Sequence, residues 1–342
     1  MADIYATNVL TPTFITESVK QYVMNENALI GNALLPVKER NTKQFKVRIN
    51  KNQATPIEAI ADGATPKSKK LNGGTVISYD GVEHVEKIVL TGDKYLAYLQ
   101  VQEGYRAMAP GATVDAGIAN LAQELLTDIV TEAGLSVATT LENLRFQSLT
   151  GTVTLASGET IDYNFAGARK PSAGTVWSDS ANATPVADLR AWQNLYTGSG
   201  YRPVSVGMNL ATYSEMVSTA EVKSFIAGSE AGAVFMQEGK VVRVAGLNVI
   251  IYNEGYINSS GTFVPYIAND KVIMIGEPTL GATAIGEMTI GLNAYEPNQA
   301  GLFVKVNNHD MATPPCIDIP YGGVMLPAHY FDNGDAIVYA SV

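Results

Sequence analysis

The chain has 342 residues, of which 46% are hydrophobic and 16% charged, so it holds enough apolar side chains for a sizeable core and too few charges for a disordered protein. Its net charge of −10 argues against a protein that wraps a phosphate backbone, because that role needs clustered positive charge. No segment has the run of about 18 apolar residues that a membrane span requires.

The cysteine content and the N-terminal residues further limit the classes of protein to which the chain can belong. Cys316 is the single cysteine, which excludes an internal disulfide and a thiolate metal cluster built from this chain alone. The start, MADIYATNVLTPTF, lacks a basic region followed by an apolar one. We therefore expect no secretory signal and folding in the cytoplasm.

Residues 1–36 are polar and weakly patterned, with Thr11, Pro12 and Thr13 near the beginning. This pattern predicts an extended arm rather than an element of the core.

The next segment concentrates positive charge. Between Lys38 and Lys70 there are nine basic and three acidic residues, a net charge of +6, so the rest of the chain carries −16. A solvent-exposed surface without a binding role explains such a segment about as well as a surface that contacts another molecule. In the second interpretation the segment lies across the acidic surface of a neighbouring copy, where complementary charge sets orientation and association rate. The candidate contact residues are Lys43, Lys46, Arg48, Lys51, Lys67, Lys69 and Lys70.

The same segment has the pattern of a β-ribbon. Apolar and charged residues alternate from Gln44 to Asn50, which is typical of a strand solvated on one side. Residues 54–74 are rich in turn formers, and strands are predicted again at 75–79 and 82–90. We expect a long two-stranded flap, which is marginal in water unless something else holds it.

A single long helix is predicted over residues 115–149. Its apolar residues recur at steps of three and four, which places them on one stripe. The length corresponds to roughly 50 Å, and the small residues on the stripe favour a helix lying across a sheet over a coiled coil. The stripe consists of Ile118, Leu121, Leu125, Ile129, Ala133, Val137, Leu141 and Leu144.

The remaining elements alternate between helix and strand. A β-hairpin is predicted around Ser157-Gly158-Glu159, and a helix from Val186 to Tyr196 begins after Pro185. A strand at 203–208 and a helix at 210–225 follow. Residues after 241 are mostly strand, with segments at 249–252, 263–268, 272–275 and 302–306 and a final series to the end. The fold class is α+β.

No pattern nominates catalytic chemistry. The three histidines, His84, His309 and His329, are far apart and outside any metal-binding motif. Phosphate-binding loops and a nucleophile elbow are also missing from the sequence. We expect no enzyme activity, no cofactor and no metal site.

Several phrases, in one order, resemble the lambda-type major head protein family, which has the Hong Kong 97 capsid fold. They are LENLRFQSLTGTV with IDYNFAG, then GTVWSDSANATPVADLRAW, PVSVGMNLATYSEMVSTAEVKSFI, VAGLNVIIYNEGYINSSGTFVPYIANDKVIMIG and LGATAIGE. The resemblance is strongest from Leu141 to Gly286.

This resemblance implies five regions. They are an N-terminal arm (1–36), an extended loop (37–90), a peripheral domain with the long helix and a hairpin (91–175), an axial domain (176–290) and strands that return to the peripheral domain (291–342). It further implies pentamers and hexamers that form an icosahedral shell around phage double-stranded DNA, which is enclosed without sequence-specific binding. The short segment before the extended loop favours a separate scaffolding protein, and a portal and a decoration protein are further expected partners. The protein would occur in the virion, and in the host cytoplasm during assembly.

Two other functions stay open. An encapsulin-like compartment would share the fold and enclose enzymes instead of DNA. A β-rich tail or surface protein is less consistent with the long helix and with the absence of repeats.

Overall fold

The computed structural model describes residues 10–25, 30–49, 75–107, 115–155, 158–227, 234–279, 284–309 and 314–342. The helices in these ranges are α1 (Pro12–Asn25), α2 (Ile30–Leu34), α3 (Gly92–Arg106), α4 (Ala116–Leu149), α5 (Pro185–Gln193), α6 (Leu210–Ser218) and α7 (Ala220–Ala227). The strands are β1 (Val37–Glu39), β2 (Gln44–Ile49), β3 (Thr75–Asp80), β4 (Val82–Leu90), β5 (Thr152–Thr154), β6 (Thr160–Asp162), β7 (Tyr201–Met208), β8 (Val234–Gln237), β9 (Lys240–Val244), β10 (Leu247–Ile251), β11 (Gly255–Ile257), β12 (Phe263–Pro265), β13 (Lys271–Pro278), β14 (Gly286–Gly291), β15 (Phe303–Val304), β16 (Asn307–His309), β17 (Cys316–His329) and β18 (Ile337–Ser341).

The first sheet is organised around β17, a strand of 14 residues. β4 pairs with β17 on one side, and β14, β15 and β16 pair with it on the other. β1 extends the sheet by running parallel to β14. Helix α4 packs over this sheet, so that Ile129 and Leu141 of the helix share a core with Ile319 and Met325 of β17.

Helix α4 confirms the predicted long helix. Its N-terminus begins at Asp115, whose carboxylate accepts the backbone N–H of Gly117 at 2.9 Å and so caps the helix. In the middle, a Cβ on Gly134 would lie 2.4 Å from the ring of Tyr22. The glycine therefore lets α1 approach α4 closely, which explains one of the small residues in this helix.

The second sheet has the order β18-β13-β7-β10-β9-β8. Its core is separate from that of the first sheet and contains Trp177 and Trp192, whose rings stack with centroids 6.2 Å apart. The indole N–H of Trp177 donates to Asp188 of α5 at 3.0 Å. Helix α5 begins at Pro185, as predicted, and the hairpin of β5 and β6 is also confirmed.

The prediction of an extended arm is wrong for the helical part of residues 1–36. Residues 12–25 form α1, and Leu10, Ile15 and Val19 are buried against α4 and the first sheet. Ile15 and Val19 are four positions apart, so they lie on the same face of a helix. This spacing indicates a buried helix face, although most of the other residues in the segment are polar.

The predicted two-stranded flap is wrong at both ends. β1 and β4 belong to the first sheet, where β4 pairs with β17 from Val82 to Leu90. The separate ribbon is β2 with β3, paired from Gln44 opposite Asp80 to Ile49 opposite Thr75. The turn-rich tip at 54–74 lies outside the described residues.

Two further expectations change. The predicted helix at 210–225 is divided at Thr219, whose hydroxyl bonds the carbonyl of Met216 and whose backbone is extended, so α6 ends and α7 begins there. The last strand, β18, pairs with β13 of the second sheet, so it does not return to the sheet of the long helix as 291–342 was expected to do. The other boundaries of the five regions stay predictions.

Candidate functional site

Two of the candidate contact residues of the basic segment, Lys43 and Lys46, have described side chains. Lys43 precedes β2 and Lys46 lies within it, and both side chains are exposed. Neither forms an ion pair with another residue of the described ranges. The side chain of Arg48 and the residues Lys51, Lys67, Lys69 and Lys70 lie outside the described part of the chain.

The root of the β2–β3 ribbon is anchored in the protein's own core. Phe45 is 0% exposed and packs on Val324 and Leu326 of β17. Gly81, between β3 and β4, has no room for a side chain, since a Cβ there would lie 2.5 Å from Val324. Lys46 alternates with Phe45 along the strand, so its side chain points away from this core.

Two other basic residues of the segment bind a buried carboxylate. Lys38 and Arg40 both contact the buried carboxylate of Glu287 on β14, with the Nζ of Lys38 at 3.2 Å and the Nε of Arg40 at 2.6 Å. The hydroxyl of Tyr330 donates to the same carboxylate at 2.5 Å. Burial acts to raise the pKa of Glu287, but the bonds from Tyr330 and Arg40 outweigh it and leave the pKa lowered. These two cations therefore fix the start of the basic segment to the first sheet.

A buried polar joint connects α4 to the N-terminal segment and to the second sheet. The carboxylate of Glu142 is 0% exposed and accepts three hydrogen bonds, from Arg145 at 3.1 Å, the Gly31 N–H at 2.9 Å and the Tyr252 hydroxyl at 2.8 Å. Arg145 donates in addition to the Leu35 carbonyl at 3.1 Å. Burial lowers the pKa of Arg145, although Glu142 opposes the shift. The joint therefore connects α4 to the segment around α2 and to Tyr252, which follows β10. No pattern in the sequence predicted it.

His329 lies at the end of β17 in an aromatic enclosure. Its ring is 4.5 Å from those of Tyr163 and Phe331, and its Nε2 is 3.1 Å from the Ser148 hydroxyl. The Nδ1 atom is buried and has no hydrogen-bond partner among the described residues. Burial lowers the pKa of His329 to about 3, so the ring is neutral in the folded protein.

The histidines do not converge. His84 is on β4, His309 is on β16 beside Asp318 at 3.5 Å, and His329 is enclosed by rings. Within the described ranges, no three His, Cys, Asp or Glu residues are placed to hold a metal ion. The helices described here include none that is long and apolar enough to cross a membrane.

The family model described as Phage major capsid protein E matches residues 15–318. No curated protein sequence matches the chain.

Two solved structures share the fold. One is assigned as a prophage capsid protein of E. coli CFT073, with 13% identity, a TM-score of 0.61 and coverage of 96% of this chain and 98% of that one. The other is a phage-related protein from Bordetella bronchiseptica RB50, with 11% identity, a TM-score of 0.55 and coverage of 97% and 96%. At these identities the likeness shows the fold alone, which is that of Hong Kong 97-like capsid proteins.

The family match spans most of the chain, from the middle of α1 to the first strand positions of β17. Its residues form the long helix that joins the two cores and most strands of both sheets, except β18 and the greater part of β17. With the sequence and the fold in agreement, the chain belongs to the phage major capsid protein E family, whose members are structural proteins of the viral head.

Proposed function

We propose that copies of this chain assemble as pentamers and hexamers into an icosahedral shell that encloses phage double-stranded DNA. The observation that carries the proposal is the family match over residues 15–318. The chain acts in this role as a building block without catalytic activity, and it needs no cofactor. Its location is the virion, after assembly in the host cytoplasm.

In the shell, the basic segment contacts a neighbouring copy. Lys43 and Lys46 support this role, because they are exposed and form no ion pair with the other described residues. Arg48, Lys51, Lys67, Lys69 and Lys70 are the remaining candidates, assigned from the sequence alone. The segment's charge of +6 against −16 elsewhere favours association between copies in a defined orientation.

Other proteins would take part in assembly. We propose a separate scaffolding protein, a portal protein and a decoration protein as partners, and DNA that is enclosed without sequence-specific contacts. An acidic inner wall would suit this content, because like charge lets packaged DNA slide without sticking. Mapping the surface potential of assembled shells tests this point, and a strongly basic inner surface would contradict it.

The experiment that tests the function is electron microscopy of the expressed chain, with and without the products of its neighbouring genes. We expect closed icosahedral shells when the scaffolding partner is present. Purified protein that stays monomeric under all conditions would overturn the proposal. Staining the contents of the shells for DNA and for protein distinguishes the two shell functions. DNA indicates a phage head, and enclosed protein indicates an encapsulin-like compartment.

A further inference from the structure

A pocket of about 250 Å³ lies where the N-terminal segment meets the first sheet. Its walls come from α1, from the residues between α2 and β1, from helix α4 and from strand β14, and it is partly open to solvent. An apolar cavity of about 150 Å³ holds benzene, so this pocket has room for a ligand of about ten non-hydrogen atoms.

The interior of the pocket is apolar. Val23 of α1, Leu141 of α4 and Ile290 of β14 line it, and the last two are 1% and 2% exposed. Ala138, one turn before Leu141 on α4, has a small side chain and leaves space beside it. These walls favour the hydrocarbon part of a ligand over water, because the burial of apolar surface is favourable.

An ammonium group at the pocket lacks a hydrogen-bond acceptor. The side chain of Lys20 is only 12% exposed, and its Nζ lies 3.6 Å from Glu17 and 3.9 Å from Glu39. Both distances are too long for a hydrogen bond, and the described residues offer this group no other ion pair. A largely buried ammonium with unused N–H donors needs an acceptor oxygen.

Asn32 supplies further donors to the pocket. Its side-chain oxygen accepts a hydrogen bond from Nη2 of Arg145 at 2.9 Å, which orients the amide. The NH₂ group of the amide has no hydrogen bond to the other described residues. Arg145 is already engaged, since its Nε and Nη1 donate to the Leu35 carbonyl and to Glu142. Unused donors beside an apolar interior select a ligand with an acceptor group, and the charge of Lys20 favours an anionic one.

The two carboxylates near Lys20 do not meet this need. The side chains of Glu17 and Glu39 are 57% and 42% exposed, so water and salt weaken their attraction to the ammonium. A carboxylate inside the pocket would approach Lys20 to hydrogen-bond distance in a drier environment, where such a bond is stronger. Glu39 is then a competitor for Lys20 and not part of the ligand's binding site.

We propose that the pocket binds a small amphiphilic carboxylate, with the chemistry of a medium-chain fatty acid. Its carboxylate accepts hydrogen bonds from Lys20 and from the Asn32 amide, and its hydrocarbon chain lies against Leu141 and Ile290. The ligand therefore ties the N-terminal segment to α4 and to the first sheet. The inference does not depend on the proposed shell function, because one copy of the chain supplies every residue of the site.

Calorimetric titration of the purified chain before assembly, with octanoate as the probe, tests the proposal. We expect octanoate to bind and, near saturation, to raise the midpoint of thermal unfolding by about 2 °C or more. Octylammonium has the same hydrocarbon chain with the opposite charge, and acetate has the carboxylate without the chain. Each should bind at least about tenfold more weakly, because each lacks one of the two features that the pocket recognises. Octanoate that does not bind, or that binds no better than octylammonium, overturns the proposal.

Variants of the polar groups locate the binding site. Lys20→Met keeps the length of the side chain and removes the ammonium, so the affinity for octanoate should fall about tenfold or more. The matched control is Lys94→Met, which removes the same charge from an exposed position on α3 and should leave the affinity unchanged. Glu39→Gln should increase the affinity several-fold, because it removes the competing carboxylate. A Lys20→Met chain that binds octanoate as well as the control contradicts the proposal, and so does weaker binding by Glu39→Gln.

Filling the pocket tests the position of the hydrocarbon chain. Ala138→Leu places three more carbons in the space and should abolish octanoate binding, whereas Ala116→Leu, at an exposed position on the same helix, should not. Urea denaturation shows whether each variant is folded. If Ala138→Leu does not fold, the result with Lys20→Met decides, and a folded Ala138→Leu chain that still binds octanoate overturns the proposal.

Discussion

The two halves of helix α4 face different environments. Toward the C-terminus, Leu144 belongs to the core of the first sheet and Phe146 and Leu149 belong to that of the second, so the helix joins the two. Toward the N-terminus, Glu124, Asp128 and Glu132 form an exposed acidic stripe. The largely buried C-terminal half (the buried half) holds one molecule together. The N-terminal half (the exposed half) buries one face, with Leu125 and Ile129, and its acidic stripe is free to contact another molecule. Substitutions in the first should act on folding, and substitutions in the second on assembly.

The largest effect is expected at the polar joint of the buried half. Arg145→Met leaves the Glu142 carboxylate buried without its cation, which should lower the free energy of unfolding by about 3–5 kcal/mol. Urea denaturation of the unassembled chain measures this. The double variant Glu142→Leu with Arg145→Met should lose less, because neither charge is left unpaired. Equal losses in Arg145→Met and in the exposed control Arg106→Met would contradict this account of the joint.

His329 should make the buried region sensitive to acid. Its pKa is about 3 when folded against an ordinary value of 6.5, so protons bind the unfolded chain first as the pH falls. The contribution of the neutral His329 ring to the free energy of unfolding is therefore fully present above pH 6.5 and declines below it. The equilibrium constant for unfolding rises by up to about tenfold for each pH unit of that decline. Between pH 6.5 and 5, the chain with His329→Gln should show a shallower decline in urea titrations. Parallel curves for the two chains would disprove the assignment.

A smaller effect is expected where α1 crosses α4. Gly134→Ala places a methyl group against the ring of Tyr22, which should cost about 1–3 kcal/mol of unfolding free energy. Adding Tyr22→Ala should recover part of the loss by making room. Gly117→Ala, in the first turn of the same helix, is the matched control, because its nearest contact is the Asp115 carboxylate at 3.0 Å.

The smallest effect is expected on the exposed half. Glu124→Gln removes a like-charge neighbour four positions before Asp128, so it should stabilise the unassembled chain by about 0.2–0.5 kcal/mol. Glu103→Gln removes half of an attractive pair with Arg106 at 3.7 Å and should shift stability slightly in the opposite direction. Thermal unfolding at low salt compares the two. A change above about 1 kcal/mol at Glu124 would show that this half also supports the fold.

Elements with strong local signals were predictable from the sequence. The apolar stripe of α4, the proline at the start of α5 and the glycine turn between β5 and β6 each act within a few residues of the chain. Helix α1 was missed because its buried side, with Ile15 and Val19, is narrow within a polar segment.

Pairings between distant segments could not be predicted. β4 lies opposite β17 across more than 200 residues of sequence, and an alternating pattern does not name its partner strand. The same holds for the candidate site. The sequence indicated a basic segment and an acidic remainder, but Glu86 and Glu132 lie near the same Tyr321 only because β4 pairs with β17 and α4 packs over it.

The position of β18 has a consequence for synthesis. β13 pairs with β7 on one side and with β18 on the other, and the chain passes through β14 to β17 of the first sheet before it reaches β18. The second sheet therefore cannot close during synthesis until strands β14 to β17 of the first sheet have left the ribosome.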